Sequence, residues 1–525
     1  SLGGVLAAWR AAQALPRAEG AANAPVWLIA EHAWIGGQMT AQAVPPDEHP
    51  LIEHPGSASA SYLQFRADIR SAVRRQPGFL DLSTMTPGLT NPGDGWVSRL
   101  CFEPALAAAW FERLLGPLQA QGRLRILRFA RPIAARREGR RIAELMLREA
   151  DGRIVVVEPG LVIDASDTGE ILRLAHMPHR LGKEARSEFG EPDAPEQADR
   201  LDQQPVTHVL ALRWQAEPGP VASEPPPDYT LWREHQLPNY VHHLFSEHLP
   251  GRGRGVSARL PFTAAGRTLD WWRYRRVVSA AQWPAHGRRA QRDATLVNWA
   301  QNDYALEPLL DGPLPQAEVE RRARGLSQCL LHWLHTEAPR PDGGRGFPEW
   351  QPAPDLTGTP DGLAQQLYVR EARRLIGLAT LTQHDVQRPP NDPGPHVAEA
   401  ACTAWYNLDI HPTCRSGHGL NAPVEPFTIP LGCWVPRNAD NLLAGGKALS
   451  TTHLANACTR VHPVEWTVGE VAGLIAAESF ASGQAPTALV QEPTHRRALL
   501  GRIDAAGIPR AWSPALLARR PAAAH

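Results

Sequence analysis

The period of apolar and polar positions changes several times along the chain, and each change marks an element. From Leu2 to Leu15, Ala and Leu dominate among helix formers, and Pro16 and Gly20 close the run, so a helix is predicted first. "VWLIAE" (Val26 to Glu31) is a short unbroken apolar stretch ending in an acid, the pattern of a buried parallel strand. From about Arg123 to Gly169, strand-length runs broken at Glu138-Gly139 and Asp151-Gly152 predict a β-meander. Its last strand, "GLVIDASDTGE", is apolar up to Asp164 and then turns through small residues. From about Ile171 to Val397, long Pro-rich connections separate Trp- and Arg-rich segments, which predicts an inserted domain. Short apolar elements return at "NLLAGGKAL", and a helix is predicted over Val464 to Phe480 with Gly469 and Gly473 on one face.

These elements predict an α/β fold, a parallel sheet plus β-meander in three layers, with a mixed α+β substrate or cap domain inserted. The expected parts are 1–170 and 398–480 for the first domain, 171–397 for the insertion, and 481–525 for a tail of small helices. "NYVHHLFSEH" reads as an exposed helix, and "YVREARRLIG" has the charge spacing of a salt-bridged helix face.

Composition narrows the function classes. Lys plus Arg equals Asp plus Glu at 54 each, so no broad electrostatic affinity for nucleic acid or anionic membrane is expected. No stretch approaches the roughly 18 to 20 apolar residues of a membrane span. A small-molecule partner is expected, and the oligomeric state stays open. The basic residues are nearly all Arg, with Lys183 and Lys447 the two lysines, as in a GC-rich, bacterial coding bias. Six cysteines at wide spacings, without a CxxC pair, do not make a disulfide framework. No leader is visible. The cytoplasm is the favoured compartment, with export open because the chain starts inside a motif.

That motif is the Gly-rich turn before the first helix. In the dinucleotide fingerprint GxGxxG the third glycine allows close helix–strand packing, and the helix N-terminus faces a pyrophosphate. Gly4 fits the third position and Ser1 stands at the second, so the first glycine and its strand are expected before residue 1. Glu31 ends the next strand, where a ribose acceptor belongs. A plain N-cap turn is the alternative. Gly36 and Gly37 in "WIGGQMTAQAVPPDEHP" permit close backbone approach, with Gln38, Met39 and Thr40 behind them. "NLDIHPTCRSGHGLN" is the densest run of chemical groups: Asp409, His411, Cys414, Arg415 and His418. Three of these make an incomplete zinc set, the basis of a hydrolase or lyase alternative, but the spacing is unfamiliar and no metal is assigned.

Together "WIGGQMTAQAVPPDEHP", "VIDASDTGE", "NWAQNDY", "QLYVREARRLIG", "WYNLDIHPTCRSGHGLN" and "NLLAGGKALSTTHLANACTRVHPVEWTVGEVAG" resemble, in order from Ser1 to about Phe480, the FAD-dependent oxidoreductases of the glutathione-reductase-like flavoprotein clan. The resemblance implies an FAD/NAD(P)-binding fold and FAD as cofactor. It puts Ser1, Gly3 and Gly4 at the diphosphate and Glu31 at the ribose. Gly36, Gly37, Gln38 and Thr40 fall beside the flavin ring, and Ala130 and Arg131 near adenine. Asp164, Ala165 and Ser166 fall in the turn after the meander, and Gly445 and Gly446 over the cofactor. Lys447 stands where many clan members carry an acid, and a solvated surface lysine is its alternative. The helix from Glu465 would aim its N-terminus at the flavin.

In the same way His411 and His418 are candidate bases, with His453 and His462 behind them, and Arg415 is a candidate anion binder. Trp299, Asn302 and Tyr304 are candidate substrate contacts. The implied activity is a dehydrogenase or oxidase passing hydride from a small organic substrate to flavin. Alternatives are a flavin monooxygenase, an NAD(P)H-using reductase, and a cofactor-free binding scaffold.

Overall fold

The computed structural model describes residues 1–15, 25–251, 257–266, 268–283, 292–389, 392 and 397–520; Pro16 and Gly20 fall outside them. Helix α1 (Leu2–Ala14) starts on Ser1, whose Oγ accepts the Gly4 N–H at 3.3 Å. Strand β1 (Val26–Ala30), helices α2 (Ala60–Arg74) and α3 (Pro104–Ala120) and strand β2 (Leu124–Arg128) follow. β2 lies parallel to β1, with Val26 opposite Leu124 and Ala30 opposite Arg128. The expected meander is therefore shorter than the sequence suggested. Residues 124–128 leave it because their backbone groups pair with β1 along its whole length.

The meander itself is β3 (Arg131–Glu138), β4 (Arg141–Arg148) and β5 (Ile154–Val157), antiparallel throughout. β6 (Val162–Asp164) then enters the core, and the Asp164 carboxylate accepts the Ile171 and Leu172 N–H groups at the start of α4 (Glu170–Leu174). A four-stranded antiparallel sheet follows, built from β7 (Leu210–Trp214), β8 (Arg276–Val278), β9 (Ala294–Val297) and β10 (Trp350–Pro352), in the order β8-β9-β7-β10. Helix α5 (Gln316–Thr336) packs its Leu326, Leu330 and Trp333 into the same apolar cluster as Trp271, Trp299 and Trp350.

The last third holds two antiparallel pairs, β11 (Ala400–Ala404) with β14 (Phe427–Pro430), and between them β12 (Leu408–Ile410) with β13 (Leu420–Ala422). β15 (Leu442–Ala444) lies parallel to β6. The parallel strands are thus hydrogen-bonded as two pairs, β1–β2 and β6–β15, and α1 packs against both. Helices α6 (His453–Thr459) and α7 (His462–Ser482) follow, and the tail includes α8 (Pro493–Ala505), which buries Leu499, Leu500 and Ile503. Among the described residues no helix is long and apolar enough to cross a membrane.

Two helices expected from the sequence are absent. Residues 239–247 are irregular: Pro238 has no N–H to donate, Asn239 takes a left-handed φ of 69°, and His248–Pro250 pairs instead with Ser257–Arg259. Arg370 to Leu375 is extended, because its backbone bonds to remote segments: Arg374 and Leu375 pair with Arg180 and His179, Arg373 N–H donates to Thr168 O and Leu375 N–H to Ala448 O. Its arginines are buried rather than displayed, Arg370 on Asp303, Arg373 on Asp311 and Arg374 on Glu184.

Helix α7 is buried on all sides from His462 to Glu478, and its closest neighbour is α1. A Cβ on Gly469 would sit 2.2 Å from the Gly3 carbonyl oxygen, and one on Gly473 would sit 2.4 Å from the Ala7 carbonyl oxygen. Beside this contact Trp466 fills the space against Tyr62, Phe65 and Phe111. The two glycines let backbone meet backbone, and no rotamer change makes room there. Gly469→Ala is therefore expected to destabilise the protein by about 1–3 kcal/mol or more. Gly501→Ala, in α8 with nothing within 4 Å of the added carbon, is expected to be neutral or stabilising by about 0.4–1 kcal/mol. Urea unfolding of the two variants checks the pair.

Candidate functional site

Glycines from three separate segments meet at the start of α1. A Cβ on Gly3 would lie 1.8 Å from the Gly445 carbonyl oxygen, and one on Gly37 would lie 2.5 Å from the Leu2 nitrogen. Gly446 faces Ser1, its Cβ position 3.2 Å from Ser1 Oγ. Gly36 and Gly37 both take positive φ, 115° and 53°, which turns the chain after β1 back onto the helix start. The start of a helix is the end that favours a diphosphate; here Glu465 takes the Gly3 N–H and Ser1 Oγ the Gly4 N–H.

Below this junction lies a buried ionic cluster. The Glu465 carboxylate accepts the Gly3 N–H at 3.3 Å and the Gln38 Nε2–H at 2.5 Å, and its Oε2 is 3.3 Å from Lys447 Nζ. Lys447 also pairs with Asp167 at 2.5 Å, and Asp167 takes the Gln42 amide at 2.9 Å. Lys447 is fully buried, which overturns the solvated-lysine alternative. Burial alone would discharge it. The Asp167 and Glu465 carboxylates outweigh that and hold its pKa above the usual lysine range. Gln38 Oε1 and Gln42 Oε1 are buried acceptors without a partner among the described residues, so this loop has hydrogen-bonding capacity left for a ring with N–H donors.

Gln38 also reaches outward, its Nε2 donating to Arg460 O at 3.0 Å. Arg460 marks the edge of a cavity of about 270 Å³. His411 stands in this cavity at the end of β12. Its Nδ1–H donates to Asp303 Oδ2 at 2.5 Å, and its Nε2 lies 3.5 Å from Asp409 Oδ2. Each carboxylate has its own arginine: Arg370 on Asp303 at 2.9 Å and Arg460 on Asp409 at 3.1 Å. Burial pushes the Asp303 carboxyl up, but Arg370 and His411 overrule it and hold it at about 2. Asp409 moves down too, burial again overruled by His411 and Arg460. Asp47 behaves oppositely: burial raises it, and Arg275 and Arg460 only partly offset that. The cavity therefore holds a histidine between two firmly ionised carboxylates, with a third carboxyl displaced toward its neutral form. Tyr274, Trp299, Tyr368 and Tyr406 supply its aromatic walls.

Of the residues singled out in sequence, Trp299, Asp409 and His411 line the cavity, together with Arg370 of "YVREARRLIG". Gly3, Gly4, Gly36, Gly37, Gly445, Gly446, Ser1, Gln38, Lys447 and Glu465 gather at the α1 start. Thr40 closes its own turn, donating to Ile35 O. Asp164 caps α4, Ala165 packs against Gly4 and Gly445, Ala130 donates to Ala30 O, and Glu31 is exposed just past β1.

The remaining candidates lie away from the cavity. Arg415 is exposed and pairs with Asp199, and His418 sits at the base of the same loop, its carbonyl accepting the Thr413 N–H. His453 is buried on Glu184. Asn302 braces His208 O and Val297 O, and Tyr304 bonds to Glu307. Burial pushes the Cys414 thiol up to about 12, and it donates to Leu201 O. No group of three metal-ligating side chains occurs among the described residues. Asp47, Arg275 and Arg460 were not singled out. The polar "PDEHP" between prolines is the one local signal for Asp47.

A family model described as FAD dependent oxidoreductase matches residues 1–499. No curated protein matches the chain. Among solved structures, a myxobacterial chondrochloren halogenase of the FAD-dependent kind is 11% identical, with 96% of this chain and 76% of that chain covered and a TM-score of 0.31. A geranylgeranyl bacteriochlorophyll reductase-like protein from Thermoplasma acidophilum is 10% identical, with 97% and 82% covered and a TM-score of 0.31. Pyridoxine 4-oxidase from Mesorbium loti is 11% identical, with 83% and 70% covered and a TM-score of 0.20.

Asp47 is held from behind by His462, whose Nδ1 accepts the Asp47 N–H at 3.2 Å while Nε2–H donates to Val44 O. Burial lowers the pKa of His462 to about 3 from 6.5. The unfolded chain takes up this proton below pH 6.5 and the folded one does not. The contribution of His462 is thus complete above pH 6.5 and declines at up to about 1.4 kcal/mol per pH unit as pH falls toward 3. Urea unfolding of His462→Asn is expected to show a shallower loss of stability between pH 6.5 and 4 than the parent.

Proposed function

This chain belongs to the FAD-dependent oxidoreductase family and is an FAD-binding enzyme, and from that premise we propose that it is a dehydrogenase or oxidase acting on a small organic substrate in the His411 cavity. The observation that carries the reading is the coupling of two places: Gln38 bonds at once to Glu465 under the glycine junction and to Arg460 at the cavity edge. The residues fit the cofactor. Gly3, Gly4, Gly36, Gly37, Gly445 and Gly446 let three backbone segments meet at a helix start, and the unpartnered Gln38 and Gln42 oxygens suit the polar edge of a flavin. Glu31 would hold the ribose and Ala130 border the adenine. When bound, FAD supplies a two-electron acceptor for hydride from a C–H next to oxygen, nitrogen or a carbonyl.

The chain's own part is proton handling and placement. Asp303 faces Nδ1, so the neutral form of the ring with its proton there would leave Nε2 to accept a substrate proton. Asp409, tied to Arg460, stabilises the charge that appears on the ring when the proton arrives. Asp47, raised by burial, is the second carrier, holding a proton more readily than an ordinary aspartate. Trp299 and the three tyrosines form the aromatic walls beside these charges.

His411→Asn is expected to slow flavin reduction about 10²–10⁴-fold with FAD retained. His418→Ala and Arg415→Ala, outside the cavity, are expected to stay near the parent rate. The check is anaerobic stopped-flow bleaching of the flavin band by the first compound, from a panel of small alcohols, amines and 2-hydroxy acids, that reduces the parent enzyme. A His411→Asn protein reduced at the parent rate would remove the assignment.

A further inference from the structure

The cavity contains three arginines, and they differ in what they hold. Arg370 is paired with Asp303 and Arg460 with Asp409. Arg275 has no carboxylate within ion-pair distance and no hydrogen-bond acceptor for its guanidinium among the described residues, and its Nε is buried without a partner. It is nevertheless fixed in place, its guanidinium carbon 4.6 Å from the Trp299 ring centroid and 5.1 Å from that of Tyr274. A guanidinium stacked on two rings, with its donors unspent, is a preorganised fork for a planar anion.

We propose that Arg275 anchors the carboxylate of the substrate, so that the enzyme acts on a small organic acid held against Trp299 with its other end toward His411. This rests on reading the cavity as the substrate site. The neighbouring charges permit it. Asp303 and Asp409 are each matched by an arginine and share His411, and Asp47 is shifted toward its neutral form by burial, so the negative groups around Arg275 do not cancel its attraction for an incoming anion. The anion-binding role expected of Arg415 passes to Arg275, since Arg415 is exposed on Asp199.

The test is isothermal titration calorimetry of the FAD-loaded enzyme with benzoate and phenylacetate against benzamide and phenylacetamide, which keep the ring and remove the charge. The parent is expected to bind the acids roughly ten- to hundredfold tighter than the amides. Arg275→Gln is expected to lose that preference, and Arg275→Lys, which keeps the charge without the fork, to retain part of it. His418→Ala, outside the cavity, is expected to keep the full preference. Equal binding of acids and amides by the parent, binding of neither, or an undiminished preference in Arg275→Gln would overturn the proposal. A normal reduction rate in His411→Asn together with lost preference in Arg275→Gln would remove the proposed base and leave the anchor standing.

Discussion

The structure depends on a contact between two backbones. α1 and α7 meet at Gly3 and Gly469 so closely that a single added methyl would overlap a carbonyl oxygen. Because α7 lies this close, Glu465 in its first turn reaches the Gly3 N–H, and from there binds Gln38 and Lys447. Lys447 brings in Asp167, which takes Gln42 and Gln366. The glycine segments and the loop after β1 are thus locked by one buried cluster. Removing one member of such a cluster leaves uncompensated charge, typically at about 3–5 kcal/mol, so it also resists piecemeal change.

The same helix start reaches the cavity. Arg460, two residues before α7, carries the carbonyl that Gln38 binds and the guanidinium that holds Asp409. His462, in the first turn, holds the Asp47 backbone. The glycine junction and the His411 cavity therefore share a rigid support, which is what positioning to within fractions of an ångström requires. The inserted segments contribute the opposite wall. Asp303 and Trp299 follow β9, Arg275 precedes β8, and Arg370 comes from the extended run after β10.

How much of this was legible in sequence follows from range. Local period announced α1, β1, the meander and α7, and placed Gly469 and Gly473 on one face of α7 without saying what meets it. The glycine pairs stood out because glycine in tandem beside apolar runs has few other uses. His411 stood out by density of chemical groups, but so did Arg415 and His418, and only the hairpin geometry of β12 and β13 separates the ring that turns inward from the pair that does not. Asp47, Arg275, Asp303 and Arg460 are far apart in the chain, and nothing periodic links them. The arginines of 370–374 misled because their charge spacing imitates a helix face, whereas their backbone is committed to strand-like bonds and their charges to buried acids.

In the proposed function the glycine junction at α1 and the His411 cavity are two ends of one FAD site. A crystal structure of the protein with FAD bound is the decisive test. Diphosphate density is expected against Gly3, Gly37 and Gly446, with the ring at the Gln38 and Arg460 edge and one face open to His411. A ring placed away from that edge, with His411 on the far side of protein atoms, would contradict it.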